Sequence, residues 1–428
     1  MAAPAMRQEA ARTLLDAHPL PSGEAGWARE ARARAEALVA TQGLPGRRDE
    51  YWRFTNPEPL TAAAAPGGAP AAGNDDPFAE VDRLRLVFVD GVFVPGLSDA
   101  PEAAGVEIQP LGQALAADIH WAREVFGRLE AEGQDPVARV LLALNTARAT
   151  AGVAIRATAA AARPVAIEYR HTAAGSDALV HHVVRVEAGA ALTLLENGRA
   201  GARANVVTEV DVADGGAFHH IRAQGSEADR LVTTGLFLRL GRESQAKSFT
   251  LAVGGRLTRN EAVITFTGDD AVAHVAGASI GGAGFLHDDT VFITHDGVNC
   301  ESRQVFKKVL SRGATGVFQG KILVRPGAQK TDGYQISQGL LLDDEAQFLA
   351  KPELEIYADD VACSHGSTCG AVDPTALFYL MSRGVARREA EHLMVLAFLD
   401  EAVAEIEDPA LADLVRAGMA RWIAATWS

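Results

Sequence analysis

The chain has 428 residues, a formal net charge of −15 at pH 7, three cysteines and an alanine-swollen apolar fraction of 48%. Its acidity argues against nucleic acid or an anionic membrane as the main partner, since both need a dense basic surface. It has no uncharged run of about 18 apolar residues, as a membrane-spanning helix needs, and no secretory signal pattern. An odd, small number of cysteines builds no disulfide framework, so we expect a reducing cytoplasm.

Residues 1–150 predict a mostly helical N-terminal region. Apolar residues at helical spacing predict helices at 7–17 and 22–42, and the aromatic segment DEYWRFTNPEPL is expected to anchor this arm. Residues 62–77 are rich in Ala, Gly and Pro, which favours a linker. Asp90-Gly91 predicts the turn of a β-hairpin at 84–95. Further helices are predicted at 113–132 and 135–146.

Residues 151–370 predict a β core. Short runs of Val, Ile and Phe alternate with polar residues, as in NVVTEVDV at 205–212, and no long amphipathic helix separates them. This pattern is typical of half-buried strands and argues against strand–helix–strand units. More than ten such strands leave a sandwich, a barrel or a β-helix, and periodicity alone does not choose among them.

Residues 371–428 predict a C-terminal helical domain. Asp373-Pro374 supplies an N-cap and a first helical residue, and Gly384 is a good terminator. Two more helices are predicted at 387–406 and 409–426. Together they carry more apolar surface than a small unit buries by itself, so we expect the β core or a partner to cover the rest.

Cys363 and His365 are the candidate functional residues. Residues two apart on a strand point to the same side, so a thiol and an imidazole are presented together. A neighbouring histidine can promote the thiolate, which is the nucleophile and the soft-metal ligand. Two ligands are too few for a closed zinc site, and Cys369 or a partner is needed to complete one. A structural role stays open, whereas a cysteine protease is disfavoured by this spacing.

Other motifs favour structural interpretations. The segment GVFQGK at 316–321 lacks the spacing of a phosphate loop, and the glycines at 281–284 lack the context of a dinucleotide fingerprint. Two histidine pairs, 181–182 and 219–220, alternate faces on predicted strands, which favours surface histidines over one convergent site. Cys300 lies in a polar turn and is predicted not to be a ligand.

Two segments carry a family resemblance. Residues 301–342 and 351–385 contain ESRQVFKKVLSRGATGVFQGKILV and ADDVACSHGST followed by ALFYLMSRG. They resemble the SufB/SufD family of iron–sulfur cluster assembly proteins, and within it the SufD branch. The aromatic segment near residue 51 is similar as well, and the absence of a cysteine before Cys300 also favours the SufD branch.

The resemblance implies a mainly β fold, with a right-handed parallel β-helix core between helical N- and C-terminal segments. It implies a non-enzymatic scaffold that pairs with SufB through the β-helix and binds the SufC ATPase through the C-terminal helical domain. His365 and Cys363 are then the residues of cluster assembly or metal binding, while the role of Cys369 stays open. No stably bound cofactor is implied, only a transient iron–sulfur cluster at the SufB interface. A reduced flavin in the complex and a homodimer of the isolated chain are left open.

Our hypothesis is therefore a cytoplasmic scaffold subunit. ATP binding by the partner would move the helical units and expose Cys363 and His365 to iron and persulfide sulfur. The alternatives are a SufB-like paralogue, a β-helix protein acting on carbohydrate through clustered carboxylates, and an interaction protein without metal chemistry.

Overall fold

A computed structural model describes residues 4–70, 76–100, 102–103, 105–225 and 227–426. The helices over these residues are α1 (Pro4–Asp16), α2 (Gly26–Gln42), α3 (Glu58–Thr61), α4 (Leu111–Ala116), α5 (Leu129–Glu132), α6 (Val140–Arg148), α7 (Pro374–Ser382), α8 (Arg387–Val403) and α9 (Pro409–Thr426).

The strands are β1 (Leu84–Val89), β2 (Val92–Phe93), β3 (Glu102–Ala103), β4 (Val106–Pro110), β5 (Val153–Ala157), β6 (Val165–Arg170), β7 (Asp177–Val186), β8 (Ala191–Gly198), β9 (Arg203–Val212), β10 (Ala217–Gln224), β11 (Leu231–Leu240), β12 (Gln245–Val253), β13 (Leu257–Phe266), β14 (Val272–Gly281), β15 (Leu286–His295), β16 (Glu301–Leu310), β17 (Thr315–Val324), β18 (Asp332–Leu341), β19 (Gln347–Ile356) and β20 (Ala362–Gly370).

The strands form two ten-stranded sheets. Sheet I has the order β2-β1-β6-β8-β10-β12-β14-β16-β18-β20, and sheet II has the order β19-β17-β15-β13-β11-β9-β7-β5-β4-β3. Equivalent positions on neighbouring parallel strands are 26 residues apart for Ala191 and Ala217 and 32 apart for Thr315 and Gln347, so one coil takes 26 to 32 residues. The parallel β-helix implied by the resemblance is confirmed.

The interior of the β-helix is filled by alternate residues of both sheets. Leu192, Phe218 and Ala246 point inwards from sheet I, and Val210 and Leu238 point inwards from sheet II. This follows from the period of two that the sequence shows, since successive side chains of a strand point to opposite faces. The buried Cys300 belongs to the same core.

The N-terminal helices pack on the outer face of sheet II. α1, α2 and α6 form one apolar cluster with Leu231 and Leu257. The hairpin of β1 and β2 turns at Asp90 and Gly91. The predicted linker at 62–77 lies partly outside the described residues, at 71–75.

The single helix predicted at 113–132 is wrong. The chain forms α4, a 3₁₀ turn at Trp121–Glu124 and α5 instead, and Ile119 is 96% exposed. The buried carboxyl group of Glu209 accepts hydrogen bonds from the amides of Gly127 and Glu130, at 2.5 and 2.9 Å. Gly127 has a φ of +62°, which ends a regular helix. The helix predicted at 135–146 begins later, at Val140.

The prediction of surface positions for the histidine pairs is also wrong. His181, His182 and His220 are fully or almost fully buried, because each has a polar partner on a neighbouring strand. His181 contacts Glu209, and His220 contacts Glu196. His219 alone stays partly exposed. The two members of each pair do point to opposite faces, as the strand period predicts.

The C-terminal helices pack on the outer face of sheet I. Val395, Leu399 and Val403 of α8 form one apolar cluster with residues of β12, β14 and β16. His274 lies 2.8 Å from Glu405, which fixes the end of this unit to β14. Residues 371–373 join β20 to α7. None of the described helices is long and apolar enough to cross a membrane.

Candidate functional site

The candidate site lies on β20, the last strand of sheet I. β18 pairs with one side of it, and no described strand pairs with the other. The amide of Ala362 donates to the carbonyl of Thr331 at 2.9 Å. Since successive residues of a parallel strand direct their backbone groups to opposite neighbours, those of Cys363, His365 and Ser367 point to the free edge. The site therefore coincides with an edge to which a further strand can add.

The side chains of these residues share the face of β20 that points into the coil. Cys363 packs beside Ile322 and Val324, and the Ser337 hydroxyl lies 3.2 Å from that of Ser367. Residues two apart on a strand are about 6.6 Å apart. The thiol and the imidazole are thus presented side by side, as the spacing predicts.

Cys363 is half-buried, and its surroundings favour the protonated thiol over the reactive thiolate. Burial raises the pKa of its thiol, and the Asp332 carboxylate acts in the same direction. No hydrogen bond joins Cys363 to His365 among the described side-chain contacts. In the chain alone, therefore, no contact supports the expectation that His365 promotes the thiolate of Cys363. A cation bound at the site would favour deprotonation of the thiol.

His365 lies at the open end of the β-helix. It is exposed, because no further coil covers the interior face of β20. Its ring makes no hydrogen bond with a described residue. An imidazole that is accessible and unpaired is free to bind a metal ion or to exchange a proton with a neighbouring chain.

The other two cysteines do not join this pair. Cys369 shares the strand and is exposed, but six residues separate it from Cys363, about 20 Å along a strand. Cys300 is buried between β15 and β16, where burial raises the pKa of its thiol. No group of three or more His, Cys, Asp or Glu side chains that could hold a metal occurs among the described residues. Cys363 and His365 therefore form an incomplete ligand set.

Two glutamines that the sequence reasoning missed lie directly below His365. Gln335 of β18 pairs in register with His365, and Gln304 of β16 pairs with Gln335. Both are fully buried and point into the coil. The signal is present in the sequence as the segments SRQVF, GYQIS and CSHGS, one coil apart, but it is readable only once the coil length is known.

Comparison with known proteins gives a consistent result. A family model described as "SUF system FeS cluster assembly, SufBD core domain" matches residues 169–398. The iron–sulfur cluster assembly protein SufD of Escherichia coli is 30% identical over 407 residues, which cover 91% of each chain. A SufBD family protein of Synechocystis is 28% identical and covers 88% of this chain and 86% of its own. The SufD protein of Bacillus subtilis is 29% identical over 57% of each chain.

Proposed function

This chain belongs to the SufBD family of iron–sulfur cluster assembly proteins, and we propose that it is the SufD-type scaffold subunit of a cytoplasmic SUF complex. In this proposal it pairs with a SufB subunit, binds a SufC ATPase and carries out no turnover of its own. The nascent iron–sulfur cluster is the cargo of the complex. Reduced flavin as a component of the complex stays a prediction.

The free edge of β20 supports pairing with a second β-helix. Backbone groups of Cys363, His365 and Ser367 point to this edge, and addition of a strand would satisfy them. A partner seated here also brings its own side chains next to the thiol and the imidazole. The ligand set that is incomplete in one chain would then be completed at the interface.

The outer face of α7 supports binding of the ATPase. Phe378, Tyr379 and Met381 of this helix are 72%, 57% and 41% exposed. A cluster of large apolar side chains on a helix surface is typical of a protein-binding site. α7 follows β20 after three residues, so a partner on α7 acts close to the candidate site.

The roles at the site follow from protonation and access. His365 acts as an iron ligand or as a proton acceptor, because its ring is exposed and unpaired. Cys363 is a supporting thiol, because burial holds it in the protonated form until a cation approaches. The acidic residues Asp359, Asp360 and Asp373 in the flanking segments suit a cation better than an anion.

One observation carries the proposal. His365 and Cys363 share the interior face of β20, and one hydrogen-bonding edge of this strand is not paired with a described strand. To test it, we would co-produce the chain with SufB and SufC and measure iron and acid-labile sulfide in the purified complex. We expect His365→Ala to lower the cluster yield at least about tenfold, as loss of a metal ligand or of its support does. Cys363→Ser should cause a smaller loss.

Ser364→Ala is the matched control, because Ser364 is exposed on the opposite face of the same strand. It should leave the yield unchanged. An unchanged yield for His365→Ala, in a complex of normal composition, would show that this face of β20 does not build clusters.

A further inference from the structure

A column of three polar side chains runs along the interior of sheet I at its open end. Gln304, Gln335 and His365 occupy equivalent positions on β16, β18 and β20. Neighbouring parallel strands lie about 4.8 Å apart, so the three side chains lie one above another. The column connects the exposed His365 with the closed part of the β-helix.

The glutamines in this column lack hydrogen-bond partners. Gln304 and Gln335 are 0% exposed, and neither the amide oxygen nor the amide nitrogen of either has a partner among the described residues. Close by, the Nε2 atom of His295 lies 2.8 Å from the Ser302 hydroxyl, while its Nδ1 atom is unpartnered. Buried polar groups are nearly always hydrogen-bonded, so four amide atoms and one imidazole nitrogen without partners in one region require an explanation.

Charged groups of the interior are paired, whereas the hydroxyls of Thr208 and Ser279 have no partner among the described residues. The Glu196 carboxylate contacts His220 at 2.9 Å and Arg222 at 3.0 Å. Lys308 contacts Asp289 at 2.5 Å. A polar interior is therefore a general feature of this β-helix, whereas unpartnered amides are concentrated in the coils next to His365. The position of these amides beside the candidate site distinguishes them from the paired groups, which only stabilise the fold.

The backbone of sheet II makes room for the column. A Cβ atom on Gly320 would lie 2.2 Å from the Oε1 atom of Gln335, which is far inside van der Waals contact. The side chain of Gln335 therefore crosses the interior and occupies the space that glycine leaves. Because Gly320 is central in β17, where glycine weakens a strand, this space has a structural cost.

We propose that Gln335, supported by Gln304, is a positioning residue for His365. The two amides bind ordered water in the interior, and this water bridges to the imidazole and fixes the orientation of the ring toward the free edge. Buried water typically makes about three hydrogen bonds to polar groups that lack other partners, and groups behind a metal-binding histidine commonly fix its ring. The inference rests on the proposed function, since it concerns how His365 acts.

The first test uses cluster yield in the complex with SufB and SufC. Gln335→Met keeps the length of the side chain but removes both hydrogen-bonding groups, and we expect the yield to fall about tenfold. Gln335→Asn keeps an amide and should restore most of the yield, which a purely space-filling role would not predict. Gln224→Met is the matched control, because Gln224 also points into the interior but lies on β10 and is paired with Asn260.

The second test is independent of activity. Crystal structures of the isolated chain should show water at about 2.7–3.2 Å from the Gln335 amide and a single orientation of the His365 ring. Gln335→Met should lose this water and show more than one ring orientation. Gly320→Ala should do the same while Gln335 is still present, because it displaces the amide.

The two tests separate the inference from the proposed function. If His365→Ala abolishes cluster formation but Gln335→Met does not, the positioning role is wrong and the scaffold function stands. If His365→Ala is itself without effect, the proposed function fails, and the crystal structures alone decide the hydration of the column. Amides without bound water, or a ring orientation unaffected by Gln335→Met, would overturn the inference.

Discussion

In the buried pair of His181 and Glu209, the neighbouring groups determine which atoms carry a proton. The amide nitrogen of Asn145 donates to the carbonyls of Val180 and Asn205, so its oxygen faces the Nδ1 atom of His181 at 3.0 Å. Nδ1 therefore carries the proton, and Nε2 accepts from Glu209 at 2.7 Å. Burial lowers the pKa of His181 to about 3 and raises that of Glu209 to about 8. Both groups are neutral near pH 7.

This protonation predicts a pH dependence of stability. The folded pKa of Glu209 is about 8, above its unfolded value of 4.5, so the stabilising proton is lost as the pH rises through 8. His181, which is neutral in the folded chain, lowers stability only below its ordinary pKa of 6.5. Burial raises the pKa of Glu130 to about 8 as well, so both carboxyl groups lose their proton in this range. We expect the free energy of unfolding to fall by more than about 1 kcal/mol between pH 7 and 9, measured by chemical denaturation, and Glu209→Gln to reduce that fall.

Glutamine suits this test because its amide nitrogen can donate to His181, while its oxygen still accepts a backbone amide. Glu9→Gln, at an exposed position on α1, is the control and should keep the pH dependence of the wild type. Equal slopes for all three proteins between pH 7 and 9 would mean that Glu209 is ionised in the folded chain at neutral pH.

Single residues also mark the limit of sequence reasoning. The spacing of Cys363 and His365 is enough to predict their common face, because only the period of a strand is needed. The burial of His181 and His220 is not predictable in this way, because their glutamate partners lie 28 and 24 residues away. Gln335 was missed for the same reason.

At the scale of elements, β20 combines a free edge with the side chains of the candidate site. Its odd-numbered residues direct their side chains to the interior and their backbone groups to the free edge. A strand that adds here would therefore lie beside the functional side chains themselves. This arrangement differs from an interface that only holds two subunits together.

A proline at Ser367 tests this edge. Ser367→Pro removes an amide that no described strand uses, and proline is tolerated at such edge positions. We expect SufB binding to weaken at least about tenfold, since a main-chain hydrogen bond and the fit of the edge are lost. Binding would be measured by calorimetry, with thermal unfolding as a check on the fold.

Ser367→Ala is the matched control, since it removes the hydroxyl that contacts Ser337 and keeps the backbone amide. It should bind SufB as the wild type does. If the two variants bind alike, SufB uses another surface of the chain.

Most of the elements could be predicted from local patterns, and the exceptions have tertiary causes. The strands of the core and the helices after Asp373 follow from periodicity and capping, and the Asp373 carboxylate does accept from the Thr375 amide at 2.8 Å. The helix predicted at 113–132 fails because Glu209, which is distant in sequence, takes the amides of Gly127 and Glu130. A local pattern contains no information about that distant side chain.

At the scale of the molecule, the two helical regions cover different sheets. The N-terminal helices pack on sheet II and the C-terminal helices on sheet I, which leaves the end formed by β19 and β20 open. The choice of a β-helix over a sandwich came from the family resemblance. The alternation of apolar and polar residues identifies the buried face of each strand but not the strands that pair with it. A single sequence therefore does not predict how successive coils are stacked.

The exposed apolar residues of α7 allow a test of the proposed SufC site. Phe378→Glu places a charge among the exposed apolar residues of α7, and we expect binding of SufC to weaken at least about tenfold, as for an aromatic anchor of an interface. Because Phe378 is 72% exposed, thermal unfolding should change little. Ile119→Glu, at another exposed apolar position, is the control and should bind SufC normally. Equal affinities of both variants would place the ATPase on a different surface.

The short connection between β20 and α7 limits how far these parts can separate. Residues 371–373 allow at most about 13 Å between Gly370 and Pro374, since an extended chain spans about 3.3 Å per residue. A larger displacement of α7 must break the hydrogen bonds of β20 from its C-terminal end, one pair of residues after another. The distance over which an ATPase moves α7 would then decide how many residues of the strand are released, and a release of six residues would reach His365.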